Sequence, residues 1–342
     1  MTAQHDDNTR PRVPDIGLGI GTLPSGPFDA ITDVAGVRVG QVTVWHGDGP
    51  LQPGVGPART GVTVIMPHDG NLFLDRVPAA YDQFNGFGKC IGIEQVDELG
   101  VLETPIALTS TLSVGRVADA LISHAIATTP QIGITMSSVN PFVGECNDGF
   151  LNDIQGRHLS EADVLNAIEA ASAGPVEEGA VGAGTGMSAF GFKGGIGTAS
   201  RLIPESLGGW TVGALVLANF GSPGTLIVDG VPVGRLLQDA ASAETERGSI
   251  VMVLATDAPM IDRQLRRLAR RAILGLARTG SLGGHGSGDV VLAFSTAESV
   301  RRPYDAPGWT LPMEIVAEDG PGGSSAAVDA LFRAAVESAE EA

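Results

Sequence analysis

A glycine and a serine head a fully apolar run, Gly248-Ser249-Ile250-Val251-Met252-Val253-Leu254-Ala255, and these are the residue types of a self-cleaving hydrolase. Breaking the Gly248–Ser249 bond leaves Ser249 with a hydroxyl and a free α-amine on one residue. An α-amine has a pKa of about 7.7–8.0, so it can act as general base for the hydroxyl beside it. A serine hydroxyl is a poor nucleophile without such a base. Gly and Ser are also ordinary turn formers, so the pair needs support from the rest of the chain.

To present a nucleophile at its end, the apolar run must be a strand covered on both faces. Strands are predicted at Val37–Trp45, with a bulge at Gly40 where the alternation shifts, and at Val62–Met66, Ile106–Thr109 and Ile132–Ser137. Further strands are predicted at Val212–Ala218, Ile250–Ala255, Val290–Ser295 and Met313–Val316. Helical spacing runs over Ser113–Ile126, Ser160–Ala173, Ile261–Arg278 and Ser325–Glu341, the second opened by Ser160 and Asp163 as a capping box. Buried strands mixed with amphipathic helices predict a layered α/β protein. The polar opening, about the first fifteen residues, reads as an arm. Asp229–Gly248 reads as an internal linker whose later part, residues 239–247, is small and charged.

With 342 residues and 43% hydrophobic content, the chain can bury a large core as one big domain or two. A net charge of −18 argues against a nucleic-acid partner, because phosphate binding needs a basic surface. Cys90 and Cys146 are the only cysteines, which points to a reducing compartment. Met1–Pro14 is polar and charged, with no apolar signal region, and no stretch of about 18 apolar residues is free of Gly, Pro or charge. A cytoplasmic protein without a membrane span is expected.

Other motifs fall away. Gly182-Ala-Gly184-Thr-Gly186 is followed by a Gly-rich stretch rather than the helix a dinucleotide loop needs, and Lys193 lacks the spacing of a P-loop lysine. The six histidines are scattered and no Cys-x-x-Cys is present, so no metal or cofactor is expected. His285, two residues before Ser287, reads as a polar loop histidine because no serine sits in Gly-x-Ser-x-Gly. The arginines of Ile261–Arg278 suit pairing with carboxylates in so acidic a chain.

Several blocks, taken in order, are more specific than any one alone. They are Phe28–Val37, Arg59–Thr63, Gly144-Glu145-Cys146-Asn147-Asp148-Gly149, Gly182–Arg201, Leu217–Gly221, Arg247–Pro259 and Gly286-Ser287-Gly288-Asp289. Together they resemble the DmpA-like aminopeptidases, a family of L-aminopeptidase/D-esterases and β-peptidyl aminopeptidases, over nearly the whole chain. The resemblance implies an α-β-β-α sandwich of the DmpA/ornithine acetyltransferase type. It also implies one hydrolase domain spanning 1–342, self-cleaved into an α chain (1–248) and a β chain (249–342).

On this resemblance Ser249 is the nucleophile, with Gly248 and Ser249 flanking the cleavage site. Asn219, at the end of an apolar strand, is the oxyanion donor, and Ser287 and Asp289 orient the nucleophile and its amine. Glu145 receives the substrate's free amine, with Asp148 the alternative in the same block. The implied activity is removal of N-terminal amino acids (L-, D- or β-aminoacyl) from small peptides, amides or esters, without a cofactor, by a homotetramer of αβ units. Two departures bear on the pocket: Lys89 in Asn85–Lys89 stands where some members carry an acid, and Leu112 replaces a His-like position. The rival readings are acyl transfer of the ornithine acetyltransferase type, which uses Thr as nucleophile, and a non-catalytic metabolite-binding protein of the same fold.

Overall fold

The computed structural model describes residues 11–237 and 248–342, so most of the opening arm and the charged part of the linker lie outside the described residues. Along the chain, β1 (Arg38–His46), β2 (Ala58–Met66) and β3 (Asp75–Gly86) precede α1 (Ile93–Leu99). Next come β4 (Val101–Leu102), β5 (Ile106–Ser110), α2 (Val114–Thr128), β6 (Phe142–Cys146) and α3 (Glu161–Glu169). A small hairpin, β7 (Ser188–Ala189) and β8 (Phe192–Lys193), leads into β9 (Gly195–Leu202) and β10 (Thr211–Asn219). After α4 (Val233–Leu237), the chain closes with β11 (Ser249–Thr256), α5 (Asp262–Arg278), β12 (Gly288–Ser295), β13 (Arg302–Pro303) and α6 (Ala326–Glu341).

One sheet has the order β1-β2-β5-β6; a second, of seven strands, runs β13-β3-β12-β11-β10-β9 with β4 beside β3. Every residue of β11 is buried because each face has its own cover. Val251, Val253 and Ala255 share a cluster with Ile65, Ile106 and Phe142 of the first sheet. Ile250, Met252 and Leu254 instead join Leu265 and Leu268 of α5 and Leu331 and Ala335 of α6. Outside the first sheet, Val62 and Val64 meet Leu121 of α2 and Val164 of α3. The layers therefore run helix–sheet–sheet–helix. Each fully buried aliphatic side chain contributes roughly 1.5–3 kcal/mol, so the central strand is fixed from both sides.

The expected helices form, and Ser160 and Asp163 cap α3 reciprocally. Gly40 is not a bulge: β1 and β2 stay in register from Arg38 to His46. The alternation shifts there because α3 lies against the strand, where a Cβ would come 1.9 Å from the Ala167 carbonyl oxygen. Ile132–Ser137 is a turn closed on itself through Met136 N–H to the Gln131 carbonyl, with a lone bridge from Ile132 to Met136. Met313–Val316 is irregular, tied by Val316 N–H to the Pro259 carbonyl.

A buried ion cluster locks both ends of the chain to β9. Arg201, 2% exposed, faces Asp29 at 3.5 Å and Glu337 at 3.6 Å, and also binds Glu341. Burial pushes the Glu341 carboxyl above its usual range, although Arg201 pulls the other way. The arginines of α5 pair with carboxylates of neighbouring segments, Arg266 with Asp97 and Arg270 with Asp82.

Candidate active site

Three neighbouring strands of the second sheet meet at one edge. β10 ends where antiparallel β11 begins, so Asn219 stands opposite Ser249. β12 runs parallel to β11 and starts with Gly288 on the other side of Ser249. Gly288 donates its backbone N–H to Ser249 Oγ at 3.3 Å, and Ser249 is 6% exposed. The residue before it, Gly248, has φ +124°, and a Cβ there would lie 1.8 Å from the Asn219 carbonyl oxygen. Only glycine fits, both for conformation and for space.

Ser287 donates to Asp289 Oδ1 at 2.5 Å, and both residues are buried. Asp289 is in register with Ile250, so alternation puts the pair on the face of β12 shared with Val291. Ser249 shares the other face, with Val251. The Gly288 amide between them makes the direct contact with the serine hydroxyl.

The Asn219 amide is oriented from both ends. Its Oδ1 accepts the Ser188 N–H at 3.0 Å, and its Nδ2 donates to the Asn147 carbonyl at 3.0 Å. A backbone donor and a backbone carbonyl leave one assignment of oxygen and nitrogen, with a second N–H on Nδ2 still to place.

Glu145 comes from β6 of the other sheet and is 2% exposed. Its Oε1 accepts the Lys89 backbone N–H at 2.8 Å, and Thr111 Oγ1 donates to its Oε2. Ser249, Asn219, Glu145, Lys89 and Thr111 line one cavity of about 770 Å³, together with Phe87. Asp148 does not line it. Its Oδ1 accepts from Ser110 Oγ at 2.7 Å and Asn152 Nδ2 at 3.0 Å, and burial pushes its carboxyl upward. Of the two acids in the Gly144–Gly149 block, Glu145 alone reaches the cavity.

Sequence reasoning missed Ser188, which lies inside the Gly182–Arg201 block, and Thr111, the neighbour of Leu112. It named Lys89, which lines the cavity, and Leu112, which is exposed and outside the lining. The thiols are poor rivals to Ser249: burial pushes Cys90 up to about 12 and also raises Cys146. Lys193 is a brace rather than a phosphate ligand, its ammonium donating to the carbonyls of Gly184, Met187 and Gly194 at 2.6–2.9 Å. His285 is exposed.

The family model of peptidase family S58 matches residues 29–342. The chain belongs to peptidase family S58. It is 40% identical over 347 residues to a β-peptidyl aminopeptidase, BapA, of Sphingosinicella microcystinivorans, covering 97% of this chain and 84% of that protein. A solved β-aminopeptidase of Burkholderia sp. superposes with TM-score 0.87 at 44% identity, covering 97% of this chain and 90% of that one. The L-aminopeptidase D-Ala-esterase/amidase of Ochrobactrum anthropi, described as a variant of the Ntn hydrolase fold, gives TM-score 0.86 at 41% identity, covering 97% and 89%. This S58 chain is a serine aminopeptidase of N-terminal-nucleophile type with that sandwich fold. Among the described residues, no helix is long and apolar enough to cross a membrane.

Proposed function

We propose that this S58 aminopeptidase cuts itself between Gly248 and Ser249 and then removes N-terminal residues, β-aminoacyl ones included, from small peptides, amides or esters. The reading rests on one observation: Ser249, Asn219 and Glu145 line a single cavity, directly after a glycine with φ +124°. The names of the relatives support the β-peptide part of the substrate range.

In self-cleavage Ser249 Oγ attacks the Gly248 carbonyl carbon and the C–N bond breaks, leaving an ester and a free Ser249 amine. Water then hydrolyses the ester to a Gly248 carboxylate. In turnover Glu145 holds the substrate ammonium by a charge-assisted hydrogen bond. Ser249 Oγ attacks the substrate carbonyl and passes its proton to the Ser249 amine, which returns it to the leaving amine as the C–N bond breaks; water then hydrolyses the acyl-enzyme on Ser249 and frees the hydroxyl. The remaining N–H of Asn219 stabilises the tetrahedral oxyanion. Ser287 and Asp289 hold the end of β12, and hence the Gly288 amide that orients the hydroxyl; the Asp289 carboxylate also favours the ammonium as it forms.

Ser249 in place of Thr, with the S58 match, sets this apart from ornithine acetyltransferase-like transfer. We further propose a homotetramer of αβ units and cytoplasmic residence, the latter supported by two cysteines that are both unbridged.

Purified protein is expected to run as two chains, the smaller beginning Ser249-Ile250-Val251 on N-terminal sequencing. Ser249→Ala is expected to leave one intact, inactive chain. Wild-type protein that stays uncut yet hydrolyses aminoacyl amides overturns the mechanism.

A further inference from the structure

The sequence uses lysine at only two positions, Lys89 and Lys193, among its 21 lysines and arginines. Everywhere else a positive charge is an arginine, the better partner for fixed, bidentate carboxylate pairing. Lys89 lines the cavity and Lys193 does not, and they differ in what their ammonium does. That of Lys193 is taken up by three backbone carbonyls. That of Lys89 donates to the Phe87 carbonyl at 2.6 Å and lies 4.1 Å from the centre of the Phe87 ring. Its partners are neutral, and an ammonium has three hydrogens to donate.

Among the described lining side chains, Lys89 is the one cation and Glu145 the one anion. They are held close, because the Lys89 backbone N–H binds Glu145 Oε1 at 2.8 Å. Yet no ion pair joins the two side chains among the described contacts, so their charges do not cancel each other. A cavity wall with separate, adjacent sites of opposite sign fits a ligand that carries both signs at one end. The setting sharpens this: with a net charge of −18, the protein's overall field repels an anionic substrate. The one cationic side chain of the lining offsets that repulsion locally.

We propose that Lys89 makes the enzyme selective for acyl groups that carry a carboxylate beside their free amine, with Glu145 taking the amine and Lys89 the acid. The proposal rests on the amine-binding role of Glu145 given above. Aspartyl residues are the smallest such groups, and they come in two linkages. In an α-aspartyl amide the acid lies one methylene beyond the carbon bearing the amine. In a β-aspartyl amide both charges sit on one carbon, and the reacting carbonyl belongs to a β-aminoacyl group. The shared chemistry is an ammonium and a carboxylate within one residue's reach.

The test compares kcat/KM of processed wild-type protein on two matched pairs at low salt: α-aspartyl against asparaginyl amide, and β-aspartyl against β-alanyl amide. The acid-bearing member of at least one pair is expected to lead by ~10-fold, and which pair does so distinguishes the linkages. The lead should shrink as salt is raised, since the ammonium is exposed. Lys89→Met should bring the ratio to about one and Lys89→Glu should invert it; using ratios within each variant removes any general loss of activity. Equal rates within both pairs for a wild-type enzyme that hydrolyses alanyl and β-alanyl amides overturn the proposal, as does an unchanged ratio in Lys89→Met. Equal turnover of alanyl and N-acetylalanyl amides is a separate failure: it removes the amine-binding role of Glu145 itself, and the Lys89 proposal with it.

Discussion

Arg201 and Glu145 are both almost fully buried charges, and the molecule treats them in opposite ways. Arg201 is surrounded by carboxylates from both ends of the chain, Asp29, Glu337 and Glu341, and its contacts are internal. Glu145 has no cation within ion-pair distance among the described residues; a backbone N–H and a threonine hydroxyl hold it, facing an open cavity. Opposite charges closed on one another act as a clasp for the fold. A charge steadied by neutral donors keeps its field for something that arrives from outside. A third case, Asp148, is buried among neutral donors but away from the cavity, and it marks the cost of such burial without the benefit of a ligand.

The comparison breaks most sharply at Arg201. Arg201→Met strands three carboxylates, and denaturant unfolding should show a loss of about 3–5 kcal/mol. KM of the protein that remains folded should not move; a shifted KM would blur the line between clasp and site. Asn219→Ala should do the reverse, lowering kcat by ~10²–10³-fold in a protein that still folds. Activity within a few-fold of wild type in a fully processed sample would make Asn219 a strand-end residue only. Glu145→Gln should raise KM for free-amine substrates by ~10–100-fold while self-cleavage persists, because only substrate binding uses the charge. An unchanged preference for free-amine over N-acetylated substrates would move amine recognition elsewhere.

The smallest effect concerns pH. Burial raises the Asp148 carboxyl in the folded protein above the ~3.9 of an unfolded aspartate. Between those two values the folded state binds the extra proton, so this carboxyl's contribution to stability is fully present below about 3.9 and is lost as pH rises through the folded value. Asp148→Asn should flatten that part of the stability curve. A slope that persists in the variant would assign it to another group.

Much of this was legible in the sequence where chemistry and pattern coincide. Ser249 announces itself because the strand behind it is apolar at every position, and every position proves buried. β3 escaped because Pro78 and its charged residues break the pattern; Pro78 sits where the strand turns from β12 toward the short β4. β9 escaped because its glycines read as loop, whereas Gly197 is small to admit the chain's end, a Cβ there lying 1.7 Å from the Ala342 carbonyl oxygen. Glu145 and Asp148, three residues apart, cannot be ranked by spacing. What separates them is where β6 stops, at Cys146, after which the backbone turns Asp148 inward to Ser110 and Asn152. Ser188 carries no side-chain signal because its contribution to Asn219 is a backbone N–H.

The tight fit of Gly248 against the Asn219 carbonyl reaches beyond the site itself. A separate protease finds its cleavage point by reading side chains, and here the residue before the cut has none to read. Under the proposed self-cleavage, the address is a conformation, written only when β10 has paired with β11. A nascent or misfolded chain lacks that address and stays whole, and a whole chain has no free amine on Ser249. Maturation then doubles as an inspection of assembly: the molecule acquires its catalytic base only after passing its own test of having folded.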